Sequence, residues 1–295
     1  MDVEAALRVV TTPAWCSSRP EVGYLRARDP AWPAALYDLP QGPVVLTWEG
    51  SLSLLSRPMV AVVGARACTP YGREWAARIA AGVAAAGGVV VSGLAAGVDL
   101  AAHEAANGAT VAVLGQGIDA RMAGWQRRAR EALLARGGLV LSELPPDAHA
   151  DTHTFPIRNR IIAGLARVVV VVEAGERSGT RNTASHALRY GRDVMALPGP
   201  LGAPASVGCL DLLEQGATMV RGVASVLAEA GLARGPSDSD PAEGLRELLA
   251  TPRTPEELMA ATGRPHVWVA ERLGILELTG EVIRLPGRRY QARTR

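Results

Sequence analysis

Lysine is missing altogether: the 31 basic residues of this chain are all arginine. Aromatic residues make up 4% of it, and phenylalanine occurs once, at Phe155. Cysteine is reduced to three, Cys16, Cys68 and Cys209, with no Cys-x-x-Cys pair among them. Each scarcity excludes something. Three widely spaced cysteines build neither a disulfide framework nor a zinc knuckle, and they fit a reducing cytoplasm. Without lysine, any anion must be met by guanidinium groups, which are planar, permanently charged and suited to phosphate. Long apolar runs are also missing. The uncharged stretch Ile79 to Val98 is mostly Ala and Gly and is broken by Gly87-Gly88, so it reads as a helix end and a strand. The start, "MDVEAALRVV", is acidic and has no apolar core, unlike a secretory signal. A net charge of +2 does not by itself demand an anionic partner.

What is present is a globular composition, 48% hydrophobic over 295 residues, enough for a sizeable core and two folded units. The middle of the chain alternates short valine-rich runs with helical patterns, the signature of a parallel sheet covered on both faces. The strands are expected at 59–64, 89–93, 110–115, 139–144, 168–174 and 193–199, with a short seventh, "ATMV", and a last helix, "GVASVLAEAG". The fold class is therefore α/β, a Rossmann-like parallel sheet domain over residues 57–231. Residues 1–56 form an N-terminal extension packed on it, and 232–241 a Pro/Ser/Asp-rich linker. Residues 242–295 read as three short helices and a hairpin, the element order of a winged-helix domain with an arginine-rich tail.

Ligands of such sheets bind beyond the carboxyl ends of the strands. The loops there are rich in small residues: "GAR" after the first strand, "SGLAAGVD" after the second, "GQGIDA" after the third, "GERSGT" after the fifth, "PGPLG" after the sixth. Glycine after a strand is ordinary turn chemistry; the convergence of these loops on one rim suggests that a ligand approaches the backbone closely. "VLGQGIDA" imitates a dinucleotide fingerprint, but the required helix start is delayed to about Trp125 and the acid is misplaced. His149 and His153 are spaced as helical zinc ligands but straddle a loop, and no metal site is expected. Nor does a nucleophile elbow surround any serine.

The ordered series "VAVVGAR…TPYG", "SGLAAGVDLAAHEAA", "TVAVLGQGID", "FPIRNRIIAGLA", "VVVVEA…SGT", "ALPG" and "GCLDLLEQGA" resembles the DNA-processing protein A (DprA/Smf) family, from about Tyr24 to Val220. The resemblance implies an extended Rossmann fold that binds single-stranded DNA, dimerises and loads a RecA-type recombinase during natural transformation. It implies no cofactor and no catalysis. Matching motif by motif, it assigns single-strand binding to Gly64 and Arg66, to Ser92, Gly93, Ala95 and Gly97, to Phe155 with Arg158, Asn159 and Arg160, and to Ser178, Gly179 and Thr180. Departures are Arg181-Asn182 after the Ser-Gly pair, "RMAGWQ" in place of a Tyr-Pro, and Gly208-Cys209-Leu210 for Gly-Cys-Asn. A full sterile-alpha-motif-like domain is not expected ahead of the first sheet strand.

The residues themselves refine these assignments. Pro156 suits a first helical position, which would leave Phe155 in the loop just ahead, either as a base-stacking platform or as a core plug. Arg158 and Arg160 stand about 200° apart on a helix and cannot both face one phosphate. Arg158, nearer the start, is expected on the ligand, with Arg160 holding a neighbouring loop. The alternative function is a nucleotide-processing Rossmann hydrolase of the phosphoribohydrolase kind, although "GERSGTRNTAS" lacks that group's second Gly pair and trailing Glu.

Overall fold

A computed structural model of the chain describes residues 21–37, 39–176, 178–233, 245, 248–262, 265–278 and 280–293. It divides into two units, residues 1–233 and 234–295. The first is built on a nine-stranded sheet: β1 (Val22–Arg26), β2 (Val45–Gly50), β3 (Met59–Val63), β4 (Val89–Ser92), β5 (Thr110–Val113), β6 (Leu139–Ser142), β7 (Val168–Val171), β8 (Asp193–Ala196) and β9 (Thr218–Met219). Their spatial order is β1-β2-β6-β5-β4-β3-β7-β8-β9, parallel from β6 to β9. The central strands are nearly pure valine because both faces are covered, so neither face selects polar residues.

Among the described residues of this unit, seven helices cover the faces: α1 (Pro70–Ala85), α2 (Val98–Ala105), α3 (Gly124–Ala135), α4 (Thr154–Leu165), α5 (Thr180–Arg189), α6 (Val207–Glu214) and α7 (Val223–Glu229). Alternation along each strand sorts them. Val60, Val62, Val90, Val168 and Val170 pack with α1, α2 and α7, and Ala112 and Val140 with α3. Val91, Val111, Val113, Val169 and Val171 point the other way, into α4, α5 and α6. Helix α1 starts where its sequence says it should: Thr69 accepts the Gly72 N–H at 3.2 Å and Pro70 takes the first helical position.

The N-terminal region differs from its expected role. Residues 22–50 do not simply pack on the sheet but extend it, since β2 pairs antiparallel with β6 and β1 with β2. Without them the β6 edge would present unpaired backbone groups. The short 3₁₀ turn Ala34–Leu36 then covers α4, with Leu36 and Leu39 seated against Gly164.

The second unit holds α8 (Pro255–Thr262), α9 (His266–Leu278) and a hairpin of β10 (Val282–Leu285) and β11 (Arg289–Ala292) around Leu245, Leu249, Leu258, Val269, Leu273, Leu276 and Val282. Thr254 and Glu257 exchange hydrogen bonds with each other's N–H at 3.3 and 2.9 Å, a capping box that starts α8. Residues 244, 246 and 247 of the expected first helix of this unit and residues 234–241 of the linker lie outside the described residues. No helix among the described residues is long and apolar enough to cross a membrane.

Candidate functional site

The chain runs outward from β3 through β4, β5 and β6, then returns to lay β7 on β3's other side. The switch point of the sheet therefore lies between β3 and β7, where parallel sheets open a crevice at their carboxyl ends. A cleft of about 690 Å³ occupies that place. Gly64, Ala65 and Arg66 form one wall and Ala95 with Asp99 the next; Phe155, Arg158 and Asn159 of α4 face Ser178, Gly179 and Thr180 at the start of α5. Thus Gly64, Arg66, Ala95, Phe155, Arg158, Asn159, Ser178, Gly179 and Thr180 are brought together, whereas Ser92, Gly93, Gly97 and Arg160 lie outside the lining.

The loop after β3 is open. Arg66 is exposed, pairs with no acid among the described residues, and sets its guanidinium 5.4 Å from the centroid of the Phe155 ring. The N–H groups of Ala65 and Arg66 meet no acceptor among the described residues. Phe155 is half-buried, its edge resting on Gly115, where an added Cβ would stand 2.6 Å from the ring. Helix α4 begins at Thr154 rather than Pro156, so Phe155 lies inside its first turn. The physical reason is that proline, lacking an N–H, is tolerated throughout a turn whose N–H groups have no intrahelical acceptor.

The loop after β4 is closed on itself. Asp99, in the first turn of α2, accepts the N–H groups of Gly93 at 3.1 Å and Ala95 at 3.3 Å. Ser92 donates its hydroxyl to Val62 O at 2.7 Å, and Arg158 donates to Gly93 O at 2.7 Å and to Val113 O. The Ser92 hydroxyl and the Gly93 and Ala95 N–H groups are therefore already occupied, and the Ser92 side chain is wholly buried. Leu94 takes a left-handed φ of 56° here, held by these bonds and by its own burial. A Cβ at Gly93 would lie 2.6 Å from the Arg158 guanidinium, so any larger residue there would displace it.

Arg158, expected on the ligand, is turned inward and 7% exposed. Its position as the fifth residue of α4 aims it at the sheet edge, where the carbonyls of β4 and β5 end. Burial, with Arg66 adding, brings its pKa down to about 10 against the pull of Asp99, so it stays charged. Burial likewise pushes Asp99 up, opposed by Arg158 and by the N–H groups of Ala95 and Gly93. Arg160, on the other flank, holds the Glu143 carboxylate after β6 at 2.6 Å. Asn159 donates to Gly179 O at 3.3 Å, and Ser178 bonds the Thr180 hydroxyl and N–H at 3.0 and 3.2 Å, which fixes the opposite wall.

Asp99, Thr152, Gly175 and Thr183 are among the lining residues that the motifs did not single out. An acid seven residues past a strand-end serine is the signal that marks Asp99. Among the described residues, no group of His, Cys, Asp and Glu is arranged to hold a metal ion, and His149 and His153 are both exposed. The described lining carries no histidine or cysteine, and its one carboxylate is tied to backbone N–H groups. The cleft offers a free cation beside an aromatic ring, without a free base.

A family model described as "DNA recombination-mediator protein A" matches residues 23–231. Protein Smf of Escherichia coli is 38% identical over 275 residues, 87% of this chain and 74% of that protein. The DNA processing protein DprA of Streptococcus pneumoniae is 42% identical over 204 residues, 68% and 72% of the two chains. The X-ray structure of that S. pneumoniae protein superposes with a TM-score of 0.66 at 40% identity, covering 71% of this chain and 74% of the other. The DNA processing protein A of Helicobacter pylori, solved for its single-stranded DNA binding mode, gives 0.65 at 29% identity, covering 70% and 94%.

Proposed function

The chain belongs to the DNA recombination-mediator protein A family, and on that premise we propose that its cleft binds single-stranded DNA for delivery to a RecA-type recombinase. The observation that carries this reading is the unpaired, exposed Arg66 lying over half-buried Phe155 at the mouth of the cleft. Single-strand sites combine cations that follow the backbone with aromatic faces that accept bases of any sequence. Here one movement serves both needs. Arg66 swings outward onto a phosphate and uncovers the Phe155 ring for the adjoining base. Gly64 and the Ser178–Thr180 loop let the backbone approach, while Arg158 and Arg160 hold α4 in place from beneath.

The protein is read as a homodimer of the bacterial cytoplasm that acts in natural transformation, with no cofactor and no catalysis. Its second unit is read as a winged helix, on the order of α8, α9 and the β10–β11 hairpin. The H. pylori protein supports the single-strand reading. Gel-shift titration of the full chain with oligo(dT) and with duplex of equal length, across salt concentrations, tests it. Tighter, salt-sensitive binding of the single strand is expected; equal affinity, or none, overturns it. Incubation with nucleoside monophosphates should release no base, and release would favour the hydrolase alternative.

A further inference from the structure

Helix α3 starts on the same rim of the sheet as the cleft, and its first turn departs from the family pattern with "RMAGWQ". Trp125 is 40% exposed there, unusual for the largest apolar side chain. Arg121, Arg127 and Arg128 are exposed around it. Arg127 lies 3.9 Å from Glu131, but Arg121 and Arg128 have no ion-pair partner among the described residues. Trp125 and Arg128 are three apart and share a helix face. Exposed Asp119, in the preceding loop, is already engaged.

This patch is joined to the cleft. Gln126, beside the tryptophan, donates to Leu94 O at 3.2 Å, and the next residue, Ala95, lines the cleft. From below, Arg130 fixes α3 by bonding Ile118 O at 2.5 Å and pairing with Glu49 of β2. Ala95 and Ala96, the residues that follow Leu94, are half-buried and carry neither bulk nor charge.

We propose that Trp125, Arg121 and Arg128 form a second single-strand contact, taking nucleotides that leave the cleft past Ala95. Bases stack on the indole and the two guanidinium groups meet the phosphates alongside. The inference rests on the single-strand reading of the cleft, so the test separates the two. Affinity of the full chain is measured by anisotropy for oligo(dT) of about 5 and about 20 nucleotides, the range over which single-strand sites are filled. The long strand should bind wild type more tightly, and Trp125→Ala should remove about tenfold of that advantage. Arg121→Ala/Arg128→Ala should lower the salt slope for the long strand by about 1.4, two phosphates at ~0.7 each. Indole fluorescence should be quenched by the long strand, and less so in Trp125→Phe. If the short strand binds but the long strand's advantage survives both variants, this inference falls and the cleft reading stands. If neither strand binds wild type, the cleft reading itself falls.

Discussion

The loops after β3 and β4 leave neighbouring parallel strands at the same edge of the sheet, and both are made of small residues. Gly64-Ala65-Arg66 lines the cleft and ends in a cation that, among the described residues, pairs with no acid, and its N–H groups meet no acceptor there. Ser92–Gly97 looks richer in donors, yet Asp99, Val62 O and the buried Arg158 already engage it. Small-residue composition marks where a backbone is approachable. It does not say what approaches it, and in the second loop the visitor is the protein's own carboxylate. The open loop is placed to bind; the closed one keeps the wall rigid. Backbone N–H groups buried in a fold must find partners, and a nearby acid supplies them before any ligand arrives.

The sharpest way to break this comparison is to open the closed loop. Asp99→Ala leaves two N–H groups without an acceptor and Arg158 buried without its counter-charge, a loss of about 3–5 kcal/mol of stability. Asp99→Asn keeps an acceptor oxygen and should lose less. Urea unfolding measures both; two variants as stable as wild type would show that the loop needs no internal closure.

Phe155 stands between the two regions, half-buried on Gly115 and half-covered by Arg66. Phe155→Ala should weaken single-strand binding by about 1–3 kcal/mol if the ring accepts a base. A core plug would instead lose about 3–5 kcal/mol of folding stability while the folded fraction kept its DNA affinity. Titration and unfolding of the same preparation decide which side of the comparison the ring belongs to.

Acid should loosen the closed side selectively. His103 lies on α2 four residues past Asp99, buried against Thr110 with Nδ1 and Oγ1 2.6 Å apart. Burial, with Arg158 adding, lowers its pKa from 6.5 to about 3. Between those values the unfolded chain holds a proton that the folded chain does not. Stability is therefore present above 6.5 and falls with pH by about 1.4 kcal/mol per unit through that window. His103→Gln should flatten this slope in unfolding curves taken across pH, and an unchanged slope would place the titrating group elsewhere.

Much of the fold was legible because valine runs bounded by glycine admit few readings, and β3 to β9 lie within the stretches read as strands. Strands β1 and β2 were not, since "VGYLR" and "VLTWEG" mix polar, aromatic and glycine residues as an edge allows. At the site, residue types predicted which loops converge, but hydrogen-bond partners across the fold decided their roles. Helical spacing correctly separated Arg158 from Arg160. It could not say that both point inward, because the carbonyls awaiting Arg158 come from β4 and β5, far away in sequence. Nor could it place Pro156 in the third position of its helix rather than the first.

Arg66→Ala tests the open loop, and its effect on the fold should be the smallest of these. The side chain is exposed and forms no ion pair among the described residues, so its removal should cost little beyond the cation–π contact with Phe155, about 0.5–1 kcal/mol at an exposed site. Binding should respond otherwise. One lost phosphate contact lowers the salt slope for single strands by about 0.7, equally for every sequence tested. Arg66→Lys restores the charge but not the planar fork, so it should recover the slope while leaving affinity below wild type. A variant that unfolds more easily yet binds as before would make Arg66 a structural residue like Arg158, and the contrast between the two loops would vanish.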